Sequence, residues 1–252
     1  MGGTGQVRRY RAAVGSASSM SGAARQGSGV CRYHMRTGAT SLSSSSMAEK
    51  KPAAKKRGRP AVHRTPRKEE ILETAARLFA DEGYNSVSLQ DIADAVGLSK
   101  TALYHYFDRK ETILGTIVVT TVKELSEFVE RAVAAHQSPQ DRLAAFLEAQ
   151  AEFFEQHQAS FQVLLTRFAN LREPKMRDIA VEWRVNYENT IRNIVHEGVT
   201  AGVFNAGSPN AVVRMVISSV YWLARWYRPS GKQTSREIAR EYAEIILHGI
   251  VK

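Results

Sequence analysis

The sequence predicts an all-α protein with a three-helix helix-turn-helix head and a larger helical body. Three observations carry that expectation. Capping signals recur along the chain, each opening a stretch with helical spacing of apolar residues. No strand-like alternation lasts more than a few residues. Between Ser88 and Phe107, a glycine turn joins two short amphipathic segments.

The chain divides into three expected regions: 1–64, 65–110 and 111–252. Residues 1–64 have the composition of a disordered basic extension, with low hydrophobicity and clustered like charge. Residues 1–67 hold 14 of the 35 Lys and Arg and a single acid, Glu49, which leaves 21 basic against 24 acidic residues beyond them. The basic character is therefore a property of the tail. It points to a polyanionic partner, with nucleic acid first and an anionic membrane second. Met47 opens MAEKKPAAKKRGRP and is the expected true start; the Ser/Gly/Ala/Arg-rich stretch before it also has the composition of a transit peptide.

Nine helices are expected, roughly over 66–82, 89–95, 99–106, 109–135, 139–157, 159–171, 174–201, 209–227 and 235–250. Thr65-Pro66 and Ser208-Pro209 are caps followed by proline at the first helical position. Ser88–Asp91, Asp108–Glu111, Ser138–Asp141 and Thr234–Glu237 fit or approximate capping boxes, in which two side chains satisfy orphan backbone N–H groups.

In the head, Ile71, Ala75, Leu78 and Phe79 form one apolar stripe, and Leu89, Ile92, Ala93 and Val96 a second. Gly97 falls where a helix must end in a left-handed residue, and Ser99 can cap the next helix. On that helix Ala102, Leu103, Tyr106 and Phe107 share the inward face, while Lys100, Thr101, Tyr104 and His105 face outward. All four outward side chains can donate hydrogen bonds, and Tyr and Thr can also touch a thymine methyl. Lys110 adds a cation beside the free N–H groups of the following helix, a ready phosphate contact.

SVSLQDIADAVGLSK and TALYHYFDRKETIL together resemble the signature of TetR-type transcriptional regulators, over about residues 66–115. The resemblance implies a homodimeric repressor of double-stranded DNA whose third helix enters the major groove. By position, Lys100, Thr101, Tyr104 and His105 would contact bases or phosphates. Ser88 and Lys110 would hold the DNA backbone, with Ser99 at the start of the reading helix in the same set. The basic run Lys55–Pro60 looks like an AT-hook, which would lay Arg57 and Arg59 in a narrow A·T minor groove. A solvated basic linker that attracts DNA without sequence preference is the other reading of the same residues.

The expected body carries Phe146, Phe153, Phe154, Phe161, Phe168, Trp183 and Tyr187. Any one ring fits plain core packing; together, beside a head that must be switched, they point to an apolar pocket between helices. The candidate effector set is Phe153, Phe154, Trp183, Tyr187, Tyr221, Arg225 and Arg228. In the last two helices, Val212, Val216, Ser219, Val220 and Leu223, with Tyr221, Trp222 and Trp226, are set beside Ile238, Tyr242, Ile245, Ile246 and Ile250. Such a pair is a natural dimer surface, and TetR-type proteins dimerise there. The run WYRPSG, residues 226–231, resembles runs in the acyl-coenzyme A-sensing subgroup of that family. Guanidinium groups beside aromatic faces can hold a phosphate and stack an adenine, or Arg225 and Arg228 can pair with carboxylates across a dimer.

Other classes fare less well. None of the seven histidines forms HExxH, and no glycine-rich phosphate loop or nucleophile elbow occurs, so neither an enzyme nor a cofactor is expected. Glu244 and His248 are four apart and read as a helix-surface contact rather than a metal pair. An architectural A·T-rich DNA-binding protein using the tail is the alternative function, but it would need no aromatic body. The lone Cys31 fits a reducing cytoplasm, and no apolar run is long enough for a membrane span. The expected mechanism is a two-state switch in which the fourth helix carries the effector's influence to the heads.

Overall fold

Helix boundaries follow the local chemistry closely. A computed structural model describes residues 68–205 and 207–250. The basic tail with Arg57 and Arg59, the start at Met47, the Thr65-Pro66 cap and the side chain of Ile250 lie outside the described residues. Among the described residues there are nine α-helices: α1 (Lys68–Leu78), α2 (Leu89–Val96), α3 (Lys100–Tyr104), α4 (Lys110–Ala134), α5 (Pro139–Gln156), α6 (Gln158–Arg167), α7 (Pro174–Thr200), α8 (Pro209–Trp226) and α9 (Ser235–Ile250).

Three of the four expected capping pairs form. Ser88 Oγ accepts the Asp91 N–H at 3.2 Å while the Asp91 carboxylate accepts the Ser88 N–H at 2.7 Å. Thr234 and Glu237 exchange the same pair of bonds, and Ser138 Oγ accepts the Asp141 N–H at 3.1 Å. The fourth does not form. α4 begins one residue later than a cap at Asp108 requires, so Arg109 is its N-cap and makes no side-chain cap bond. Asp108 instead accepts from Thr112 Oγ1 at 2.8 Å and pairs with Arg109. Ser208 also precedes its helix without a side-chain cap bond.

Two helices are shorter than expected because their last turns change type. α1 gives way to a π-turn over Phe79–Gly83, ending at Gly83 with φ 87°. The wider turn brings Phe79 and Tyr84, five apart, into edge-to-face contact at 5.1 Å. α6 tightens into a 3₁₀ turn over Phe168–Asn170, and Glu173, held extended before Pro174, opens α7.

The body is a helical bundle in which α4 packs mainly on α7 and α5, and α9 mainly on α5. Its centre is built of fully buried Phe146, Phe153, Phe161, Leu143, Leu147 and Ile191. After α7 the chain doubles back so closely that a Cβ on Gly198 would stand 2.2 Å from the Phe204 ring. Only glycine fits there. The head (α1–α3) does not hang free. α4 continues from it into the body, and α6 packs on both α1 and the π-turn.

Candidate DNA-reading edge and effector core

The head explains why α3 has a free side. Ile71, Ala75, Phe79, Ile92 and Ala93 are buried, and Leu103 and Phe107 drop into the same core at 1% and 2% exposure. Gly97 closes α2 at φ 77°, with its N–H on the Ala93 and Asp94 carbonyls. An L side chain resists that conformation, so the glycine sets the angle at which α3 leaves. Ser99 caps α3, its Oγ accepting from the Ala102 N–H at 3.1 Å. α3 is five residues long, not the eight expected, but Tyr106 and Phe107 N–H both bond back to the Leu103 carbonyl, so the turn continues in outline.

The expected division of the rings holds. Ala102 and Tyr106 are half-buried; Lys100, Thr101 and His105 are exposed, and Tyr104 is 47% exposed. A cation, a hydroxyl, a phenol and an imidazole therefore project from one edge. Lys110 differs from expectation. Its ammonium donates to the Tyr84 and Val87 carbonyls at 2.8 and 2.6 Å and lies 4.4 Å from the Tyr84 ring centroid. Unsatisfied carbonyls at the end of the π-turn and its loop draw the charge inward, so Lys110 clasps the loop before α2. Tyr84 donates its hydroxyl to Glu111 at 3.2 Å and lies 5.6 Å from the Arg167 guanidinium. Burial, and then the Glu111 carboxylate, push the Tyr84 phenol up to about 12. Sequence reasoning missed this node between head and body, because Tyr84 and Arg167 are distant in the chain.

In the body, the proposed effector residues separate into two groups. Phe153, Phe154 and Tyr187 are buried, ring against ring: Phe146–Tyr187 at 5.2 Å, Phe154–Phe161 at 5.5 Å and Phe161–Tyr221 at 6.4 Å. They pack into a closed core at the place where a pocket between helices is expected. Within it, Tyr187 donates its hydroxyl to Gln150, a fully buried amide whose Nε2 has no partner among the described residues. Burial raises the Tyr187 phenol well above its ordinary value, and raises that of Tyr221 as well. Gln150 escaped the sequence reading, although a lone amide among Phe146, Leu147, Phe153 and Phe154 is a visible irregularity.

The second group lies elsewhere. Trp183 is half-buried with Lys123 5.6 Å from its ring. Arg225 and Arg228 are exposed, and Arg228 donates to the Tyr227 carbonyl at 3.1 Å. Tyr227 itself turns inward and donates to Glu155, which also accepts from Ser235. The turn 226–231 is thereby tied down onto α5, and its arginines stand apart from the aromatic core. The supposed dimer stripe needs correction too. Val212, Val216, Val220, Leu223, Ile238 and Ile246 are buried in the protomer's own core, because α8 and α9 pack on the bundle with those faces. Among the described residues, the large apolar side chains left outside on these helices are Met215 (49% exposed), Trp222 (68%) and Trp226 (45%) on α8, and Ile245 (69%) on α9. His248 Nδ1 lies 2.7 Å from the Glu244 carbonyl on the same exposed helix surface. No described helix is long and apolar enough to cross a membrane.

A glycine-set helix pair with a polar outer edge, mounted on a helical body, defines a helix-turn-helix DNA-binding regulator. Comparison with known proteins agrees. Residues 71–117 match the profile described as bacterial regulatory proteins, tetR family, and residues 136–250 match that of the tetracyclin repressor-like C-terminal domain. The TetR family regulator PfmR from Thermus thermophilus is 39% identical, and its structure aligns at TM-score 0.66 over 71% of this chain and 97% of its own. The HTH-type transcriptional repressor KstR2 of Mycobacterium tuberculosis is 27% identical over 187 residues, 74% of this chain and 94% of its own. The structure of AibR in complex with isovaleryl coenzyme A and operator DNA is 26% identical, with TM-score 0.65 over 71% of this chain and 96% of its own. The chain belongs to the TetR family of transcriptional regulators.

Proposed function

We propose that the protein is a dimeric repressor released from a palindromic operator by an acyl-coenzyme A-type effector. The observation that carries the DNA half is the edge of α3: four polar side chains outward over a fully buried Leu103 and Phe107. In this reading Lys100, Thr101, Tyr104 and His105 meet base edges and phosphates. Ser88 and Ser99 offer hydroxyls to the backbone from the starts of α2 and α3. Lys110 supports the loop rather than reaching for phosphate. The head is taken as 65–110 and the effector and dimer region as 111–252. The tail around Arg57 and Arg59 adds nonspecific affinity through counterion release.

The effector half rests on the core around Gln150, Tyr187 and Tyr221. A buried amide N–H without an acceptor costs about 1–3 kcal/mol. An acyl chain entering among Phe146, Phe153, Phe154 and Phe161, with a carbonyl on Gln150, would remove that cost. AibR's complex with isovaleryl coenzyme A supports the choice of ligand class. The exposed Trp222, Trp226, Met215 and Ile245 supply an apolar patch for a second copy, which a two-fold operator requires.

Titrating the operator-bound protein with acyl-coenzyme A thioesters and with the matching free acids tests this reading. Release by the thioesters alone is expected; equal release by both, or by neither, removes the coenzyme A part. Trp222→Glu is expected to give a monomer by light scattering and to lose the palindromic footprint. If the variant remains dimeric, the interface lies elsewhere.

A further inference from the structure

Where the head meets the body lies a groove of about 710 Å3 with an unbalanced charge. Its walls include Tyr84 and the cations Lys110, Arg167, Arg172 and Arg177, against the carboxylates Glu111 and Glu173. Glu111 already accepts the Tyr84 hydroxyl. Lys110 meets backbone carbonyls, and Arg167 meets a ring. Arg172 and Arg177 are exposed and form no ion pair with a described residue. A second groove in the body makes the contrast. It too gathers three arginines, Arg131, Arg236 and Arg240, but there Glu148 binds Arg236 at 2.8 Å and Arg240 at 2.9 Å. In the body groove one carboxylate pairs with two of the arginines; in the junction groove four cations face two carboxylates, and Arg172 and Arg177 are in no ion pair with a described residue.

We infer that the junction groove is a binding site for a small phosphate-bearing anion, held by Arg167, Arg172 and Arg177. Guanidinium groups match phosphate oxygens two N–H bonds at a time, and several sharing one concavity favour a diphosphate over a single carboxylate. Tyr84 and Asn85 come from the head, and the three arginines from α6, α7 and the loop between them. A ligand there ties the head to the body, so its affinity and that of the operator must be coupled. The anion site stands whatever fills the aromatic core; only its effect on the operator rests on the repressor reading.

The test is calorimetry on the full chain without DNA, using pyrophosphate, ADP and, as the phosphate-free control, adenosine. Saturable binding of pyrophosphate and ADP but not adenosine is expected. It should weaken about tenfold or more in Arg172→Ala/Arg177→Ala with an unchanged melting midpoint, and less in Arg172→Lys/Arg177→Lys, which keeps charge and loses the fork. No saturable heat, binding of adenosine equal to ADP, or equal binding by the alanine variant overturns the site. If these arginines serve the operator backbone instead, the alanine variant loses operator affinity with a shallower salt dependence while pyrophosphate gives no heat with either protein, which also overturns it.

Discussion

The outer edge of α3 and the aromatic core of the body use similar side chains under opposite rules. On α3, Tyr104 stands half in solvent above a buried Leu103 and Phe107. In the body, Phe146, Phe153, Phe161 and Tyr187 are sealed ring against ring. Surroundings make the difference, since residue type is shared. A short helix packed on one side leaves the other free, whereas helices inside a bundle are covered nearly all round. Aromatic content thus marks both halves of this regulator and assigns neither a role until burial is known.

Substitutions that exchange those rules sharpen the comparison. The largest effect is expected from Phe146→Ala. Removing a fully buried ring that packs on Tyr187 should cost about 3–5 kcal/mol of stability, read by denaturant unfolding. A loss under about 1 kcal/mol, on the order expected of a surface site, would mean that the ring is not tightly packed in the core. Gly97→Val comes next. At φ 77° a β-branched residue should cost about 1–3 kcal/mol, and the head should lose its protection in hydrogen exchange. Tyr104→Ala should leave the melting midpoint alone and weaken the preferred operator by about 1–3 kcal/mol relative to random duplex. Loss of stability without loss of specificity would place that ring in the core's class instead.

The smallest effect concerns acid. Burial pushes the Glu148 carboxyl up, but hydrogen bonds from Arg240 and Arg236 outweigh it and hold the group below its ordinary 4.5. Its folded value thus lies under its unfolded one. The stability it contributes is present at neutral pH and lost as pH falls from about 4.5 downward. Glu148→Gln should flatten that acid limb in urea-midpoint measurements, and an unchanged limb would assign the acid sensitivity to other carboxylates.

Much of the head is legible in the sequence because its signals are local. Gly97, Ser99, the Ser88–Asp91 box and the i, i+4 spacing of Leu103 and Phe107 each act within a few residues. The aromatic core of the body is legible only as composition. Phe153, Phe154 and Tyr187 could be named, but their closure around Gln150 depends on α5, α7 and α8 meeting. The α8 and α9 stripes misled for the same reason: an aliphatic face packs equally well on its own bundle or on a second subunit. Arg225 and Arg228 looked like partners of neighbouring rings, yet the chain turned Tyr227 inward to Glu155 and left both guanidinium groups outside.

What the sequence determined by itself is the helical class, the positions of most helix starts and the outward face of α3, since caps, turns and periodicity act within one or two turns of chain. Only the tertiary structure decided that Lys110 clasps the Tyr84 loop, that Gln150 sits unmatched among rings, and that Trp222 rather than Val216 remains uncovered. These depend on which surfaces meet across long sequence separations, where many pairings satisfy the same hydrophobic pattern and packing selects one.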